Sequence, residues 1–315
     1  MDAEYIRSTA VAEACRLAAA EGAALLAGGT DLLVELKGGT RQARSLISLR
    51  DLEDLKGFRR GPDGRYFLGA MTSHAEVARH PVLQRVFPAL ADACGEVGSE
   101  AVRAAGTIGG NLCTAAPSAD SAGPLLAYGA EALIARAGAG YAGDRVLERR
   151  LPLADFLLGP RQVALAPGDL LVGFALPDPG AHGARYEKFA RRKALDIATV
   201  AVTALVRLDE SGRIESLTLA LGAVAPTPIL VPAAAAAAGG REPSDALLRE
   251  VAAAAVAAAA PIDDIRAGAD YRSHLVDVLS RRAVYAAWEN ARGLPEGLCT
   301  AATTDERDTE EAGGR

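Results

Sequence analysis

Apolar residues in the first half of this chain come in short runs cut by glycine. In the second half they form long alternating stretches, followed by alanine-rich segments. Each pattern predicts its own elements. Glu4 to Arg7 starts a strand, and Ser8 or Thr9 caps a helix running through Glu21, with Gly22 as its C′ stop. Ala23 to Ala27 reads as a short buried strand, broken by Gly28-Gly29-Thr30-Asp31. Leu32 to Lys37 resumes with helical spacing until Gly38-Gly39, and Ser45 to Leu49 is the next strand. The first fifty residues thus predict a β-α-β unit. From about Arg65 the pattern lengthens: a strand at Tyr66 to Met71, a short helix at Ser73 to Arg79, and an amphipathic helix at Val82 to Val97. A glycine-rich stretch, Gly106 to Asn111, precedes a helix signal from Asp120 to Tyr128, and short strands follow to Pro177.

Asp178-Pro179-Gly180-Ala181-His182-Gly183 has the composition of a linker. Beyond it, Arg185 to Arg191, Thr199 to Arg207 and Arg213 to Ala223 predict a three-stranded antiparallel sheet, with a turn at Asp209 to Gly212. Helices are expected at about Ser244 to Ala260 and Tyr271 to Asn290. The polar, acid-rich tail at 303–315 is expected to be disordered. The fold class is α+β, with one domain at 1–177, in parts at about 1–57 and 58–177, and a second at 178–292.

Composition narrows the function. A chain of 315 residues can build two modest cores. With 34 basic and 40 acidic residues, a net charge of −6 and no basic block, it is a poor match for nucleic acid. No apolar run approaches the roughly eighteen residues that would span a bilayer. The N-terminus is charged from Asp2 and has no signal-like apolar core, so a cytoplasmic location is expected. Cys15, Cys94, Cys113 and Cys299 form no metal-binding spacing. His74 and Glu76 make an H-x-E, but without the P-C-x-x-C of a zinc deaminase. No metal site is expected.

Two glycine turns carry the chemistry. In Leu25-Leu26-Ala27-Gly28-Gly29-Thr30-Asp31-Leu32 a strand ends, glycines turn the chain and a short helix begins. That arrangement aims backbone N–H groups at one spot, as a pyrophosphate requires. The alternative is a plain turn with Asp31 as the helix cap. In Thr107-Ile108-Gly109-Gly110-Asn111-Leu112-Cys113-Thr114 a second glycine pair lets backbone lie against a ligand, with Asn111 and Thr114 offering side-chain bonds. Asp120 either caps the next helix or reaches a cofactor hydroxyl. Gly138-Ala139-Gly140-Tyr141-Ala142-Gly143 matches G-x-G-x-x-G by letter, but the alternating residues Asp144 to Arg150 predict a strand where that fingerprint needs a helix. It is expected to be a hairpin loop. In Tyr186 to Arg192, alternation puts Tyr186, Lys188 and Ala190 on one face and Glu187, Phe189 and Arg191 on the other. A basic residue there neutralises a flavin or phosphate, or else lies on a solvated sheet edge. No nucleophile elbow or recognisable carboxylate pair is present, which fits a protein whose chemistry resides in a redox cofactor.

AGGTDL at Ala27 to Leu32 and TIGGNLCTAAPSAD at Thr107 to Asp120 resemble the FAD-binding medium subunits of the xanthine dehydrogenase and carbon monoxide dehydrogenase family. RRKALDIA at Arg191 to Ala198, GAVAPTPI at Gly222 to Ile229 and DIRAGADYRSHLVDVLSRRA at Asp264 to Ala283 resemble the C-terminal domain of such subunits. The resemblance implies a vanillyl-alcohol-oxidase (PCMH) type FAD-binding fold with non-covalent FAD. It assigns the pyrophosphate and adjoining atoms to Leu25 to Leu32 and Thr107 to Asn111, and a cofactor hydroxyl to Asp120, with Leu171 and Lys188 near the flavin. It implies partners as well: a small subunit with 2Fe–2S clusters and a large molybdopterin subunit, in a heterotrimer or heterohexamer. Electrons would leave FAD for NAD or another acceptor. Two departures refine it. The cysteines cannot ligate the extra 4Fe–4S cluster of some aromatic-acyl-CoA reductase members. Thr30-Asp31 stands where the carbon monoxide branch often has His-Ser, which leans toward xanthine-, nicotinate- or aldehyde-type enzymes. A self-contained flavin oxidase or reductase and a flavin-free scaffold are the competing readings.

Overall fold

The computed structural model describes residues 3–138 and 146–293. Cys299, the tail at 303–315 and most of the Gly138 to Gly143 loop lie outside these residues. The first unit contains β1 (Glu4–Arg7), α1 (Val11–Ala18), β2 (Ala23–Leu26), α2 (Leu32–Lys37) and β3 (Ser45–Ser48). β3 lies between β1 and β2, parallel to both, so the β-α-β pattern is real. α1 ends at Ala18, not Glu21, and neither Ser8 nor Thr9 is its cap. Their hydroxyl and N–H donate instead to Glu13 Oε2, at 2.9 and 3.1 Å. A carboxylate in the first turn thus ties the incoming chain to the helix, with no side-chain cap on the helix N–H groups themselves.

The second unit starts with β4 (Phe58–Arg60) and β5 (Tyr66–Gly69). Six short helices follow: α3 (His74–Arg79), α4 (Pro81–Val86), α5 (Pro88–Gly95), α6 (Glu100–Ala105), α7 (Ile108–Thr114) and α8 (Ala122–Ala127). It closes with β6 (Glu131–Ala137), β7 (Val146–Pro152), α9 (Leu153–Phe156), the small β8 (Leu157–Gly159) and β9 (Gln162–Val163) pair, and β10 (Asp169–Leu176). One antiparallel sheet runs in the order β4-β5-β10-β6-β7. Every residue of its central strand β10 is buried. The single helix expected at Val82 to Val97 is two. Pro88 has no N–H to give and pushes Phe87 out of helical geometry, to φ −131 and ψ 53. The glycine-rich stretch divides: Gly106 ends α6, and Ile108 to Asn111 form the first turn of α7. Thr107 caps it, its hydroxyl accepting from Gly110 N–H at 3.1 Å.

The C-terminal sheet has four strands rather than three. β11 (Gly183–Phe189), β12 (Val200–Leu208) and β13 (Ile214–Gly222) are joined by β14 (Ile229–Leu230), all antiparallel. A two-residue strand between prolines has no periodicity to read. α10 (Pro232–Ala238) escapes for a similar reason, because a run of alanines has no apolar face. α11 (Asp245–Ala258) and α12 (Ala269–Arg292) follow. The segment read as a linker is packed in place. His182 is buried, its Nε2 3.3 Å from Tyr128 Oη, and Asp178 pairs with Arg60 at 3.0 Å.

Three contacts between layers hold the units together. Ala14 and Cys15 of α1 pack on Ala135, Leu170 and Val172, so the first unit sits on one face of the five-stranded sheet. The second unit's core continues into Ala184, Tyr186, Ala198 and Ala201 of the C-terminal domain. The opposite face of that last sheet is closed by α10, α11 and α12. No helix among the described residues is long and apolar enough to cross a membrane.

Candidate cofactor site

The first unit and the α3 to α7 region enclose a cleft of about 440 Å³, completed by the 163–171 segment that leads into β10. The two glycine turns meet at its floor. A Cβ on Gly28 would stand 2.0 Å from Ala105 O, so only glycine lets the β2–α2 turn come this close to the α6–α7 turn. Gly109 is confined in the same way: a Cβ there would lie 2.6 Å from that of Ala70.

The two turns are not equivalent as donors. Among the described residues, the N–H groups of Gly29, Thr30, Asp31 and Leu32 have no acceptor, and the next, on Leu33, goes to Gly29 O at 3.1 Å. In α7 the corresponding groups are spent within the protein. Ile108 N–H goes to Thr72 O at 2.9 Å, Gly109 to Ala70 O at 2.9 Å, and Asn111 to Thr107 O at 3.0 Å. The first turn therefore offers a set of free donors, and the second offers a close, narrow surface. Asp31 does not cap α2. Its carboxylate accepts the Thr114 hydroxyl at 2.9 Å and so braces one turn against the other.

Leu25, Ala27, Gly28, Gly29, Thr30, Asp31, Leu32, Thr107, Gly109, Gly110, Asn111, Thr114 and Leu171 all line the cleft. Four expected residues do not. Leu26 folds over Gly29, and Ile108 is wholly buried in the core. Asp120 and Lys188 face each other behind the wall, Nζ to Oδ2 at 2.9 Å, with side chains 9% and 5% exposed. The solvated-edge alternative for Lys188 is thereby excluded. Lys188 also donates to Glu96 O at 3.1 Å, and the adjacent Val97 is part of the cleft wall. Asp120 does not cap α8; it takes the Tyr186 hydroxyl at 2.7 Å. Burial pushes the Asp120 carboxyl up, against the pull of Lys188 and the Tyr186 hydroxyl.

Several wall residues carried no sequence signal. Arg161, in the left-handed region at φ 61, reaches from the β8–β9 turn to Glu35 of α2, and Arg41 approaches Glu35 to 3.7 Å. All three line the cleft. The hydrogen bond from Arg161 holds the Glu35 carboxyl below its usual range. Tyr186 does carry a sequence signal, because alternation puts it on the same face as Lys188.

The arrangement fits a dinucleotide. Free N–H groups, the Thr30 hydroxyl and two guanidinium groups suit a pyrophosphate, and the acids in the wall already have partners. Residues 1–179 match the family model for the FAD-binding domain in molybdopterin dehydrogenase, and residues 184–287 match the C-terminal domain of CO dehydrogenase flavoproteins. The chain belongs to the FAD-binding medium subunits of the xanthine dehydrogenase and carbon monoxide dehydrogenase family. The xanthine dehydrogenase FAD-binding subunit of Escherichia coli O157:H7 is 33% identical over 294 residues, which cover 92% of this chain and 98% of that one. The carbon monoxide dehydrogenase medium chain of Afipia carboxidovorans is 31% identical, with the same coverage. The solved carbon monoxide dehydrogenase of Hydrogenophaga pseudoflava superimposes with a TM-score of 0.84 at 30% identity, covering 92% of this chain and 98% of its own. This medium subunit holds no group of three His, Cys, Asp or Glu fit for a metal among its described residues.

Proposed function

We propose that this subunit holds FAD non-covalently in the cleft and carries electrons between partner subunits and an external acceptor. The observation that carries this reading is the row of unpaired N–H groups at Gly29 to Leu32, braced against α7 by Asp31 and Thr114. These groups hold the pyrophosphate, Arg41 and Arg161 offset its charge at the rim, and Asn111 and Thr107 lie along the cofactor. Asp120 and Lys188 belong to the flavin end, where Asp120 would meet a cofactor hydroxyl while keeping its pair with Lys188. FAD, when bound, supplies the ability to take electrons singly and give them up in pairs. The protein's part is to orient the cofactor and exclude water, for which the apolar wall of Val97, Val102, Leu170 and Leu171 is suited. The partners would be a small subunit with 2Fe–2S clusters and a large molybdopterin subunit, with NAD or another acceptor receiving the electrons.

The test is an absorption spectrum of the chain purified with its neighbouring gene products, followed by acid release of the flavin. Released FAD, with iron–sulfur absorbance only when the partners are present, supports the carrier. A flavin that stays attached after denaturation points to a self-contained oxidase. The absence of any flavin from the assembled complex leaves only a scaffold.

A further inference from the structure

His74 opens α3, is 2% exposed and lines the cleft beside the first glycine turn. Its N–H donates to Gly106 O at 3.0 Å, and the preceding residue, Ser73, bridges to Thr107. The ring is thereby fixed against the α6–α7 turn. Nδ1 lies 3.5 Å from Cys94 Sγ. Nε2 has no partner among the described residues, yet it is not one of the unpaired polar atoms sealed from solvent, so it opens on the cleft. A histidine serving only the core would have both nitrogens satisfied within the protein.

Cys94 decides which nitrogen carries the proton. Burial pushes its thiol far above the usual range, and burial, with Arg103 adding to it, pushes His74 down to about 4. Both groups are therefore neutral near pH 7. Thiol sulfur is a weak acceptor and a neutral imidazole nitrogen a good one, so S–H donates to Nδ1 and leaves the proton on Nε2. The result is an uncharged donor facing the cleft. The ring's Cδ2, bonded to Nε2, and the Thr30 hydroxyl each stand 3.5 Å from the point where a side chain on Gly106 would begin. His74 and Thr30 thus flank one spot on the cleft floor, beside the free N–H groups of the first turn.

We propose that His74 is a further cofactor-binding residue whose Nε2–H donates to a phosphate oxygen of FAD, with Cys94 as the positioning residue that fixes its tautomer. This rests on the flavin-binding reading above. The test titrates the flavin-free full chain with FAD, following the quenching of flavin fluorescence, for the wild type, His74→Phe and His74→Gln. His74→Phe should weaken binding about 10- to 100-fold, as expected for a lost hydrogen bond to a charged acceptor. His74→Gln, which keeps an N–H, should recover most of the loss. Equal affinities for the wild type and His74→Phe overturn the proposal and leave the flavin reading intact. A wild-type chain that binds no FAD sinks the flavin reading, and the proposal with it. Should His74→Phe fail to fold, nitrogen NMR of the histidine-labelled wild type decides. A proton on Nε2 of His74 whose resonance moves on adding FAD supports the proposal; a resonance that stays put overturns it.

Discussion

Lys188 and Asp120 are each more than nine-tenths buried at the side chain and meet at 2.9 Å, so neither can lose its partner cheaply. Lys188→Met should cost about 3–5 kcal/mol in the flavin-free protein near neutral pH, the usual range for stranding a buried charge. The pH dependence has a definite sign. With the ammonium gone, burial acts on Asp120 unopposed except by Tyr186, and its folded pKa rises further above the unfolded one. The folded state then holds the proton more tightly, so the deficit grows as pH rises above the normal carboxylate range. Urea midpoints at pH 5 and pH 7.5 check this: the gap between wild type and variant should be wider at the higher pH. His74 gives the opposite slope. Its folded pKa, about 4, lies below the unfolded 6.5, so the unfolded state binds more protons in between. Stability should fall by about 1.5 kcal/mol between pH 6.5 and 5, and His74→Gln should remove that component from the difference.

The elements around the cleft are short, and few of them would persist alone. α2 and α7, each under two full turns, are positioned by contacts between them. The brace from Thr114 to Asp31 is the polar part of that contact, and Gly28 against Ala105 is the packing part. A double-mutant cycle with Asp31→Ala and Thr114→Val should give a coupling of about 0.5–1 kcal/mol in urea denaturation, modest because the pair is partly exposed. Additive costs would show that the two turns are held only by packing. The elements that depart from the hydrophobic pattern do so for two reasons. α4 and α5 are divided by Pro88, which interrupts hydrogen bonding without disturbing the amphipathic periodicity. β14 and α10 are too short or too uniform to show any period.

Across the whole molecule, the second unit and the C-terminal sheet share one core through Ala184, Tyr186, Ala198 and Ala201, despite the linker-like composition between them. Trp288, the single tryptophan, lies in α12 on the far face of that sheet and reports on the C-terminal domain alone. If the shared core couples the parts, the unfolding midpoint from Trp288 fluorescence should coincide with the one from far-ultraviolet circular dichroism. Both should move up together when FAD is added, by roughly 2.7 kcal/mol of stabilisation at a hundredfold excess over its dissociation constant. Midpoints that separate would show domains unfolding independently.

The glycine turns, the strand alternation through Lys188 and the β-α-β start were legible because each depends on neighbours in sequence: a turn needs glycine, a strand face repeats every second residue. Family membership followed from the same local strings. What the sequence left open was set by distance in space. Nothing in the chain marks Arg161 as a neighbour of Glu35, 126 positions away, and only the folded cleft joins them. The spacing of Asp120 and Lys188 from the glycine turns could not show that they pair with each other, 68 positions apart, behind the wall. Nor could it show that α7 spends its N–H groups on Ala70 and Thr72 while the Gly29 to Leu32 turn keeps its own. Local conformational preference and periodicity act within a few residues. Which donors remain free for a ligand depends on every element packed around them, and only the tertiary structure fixes that.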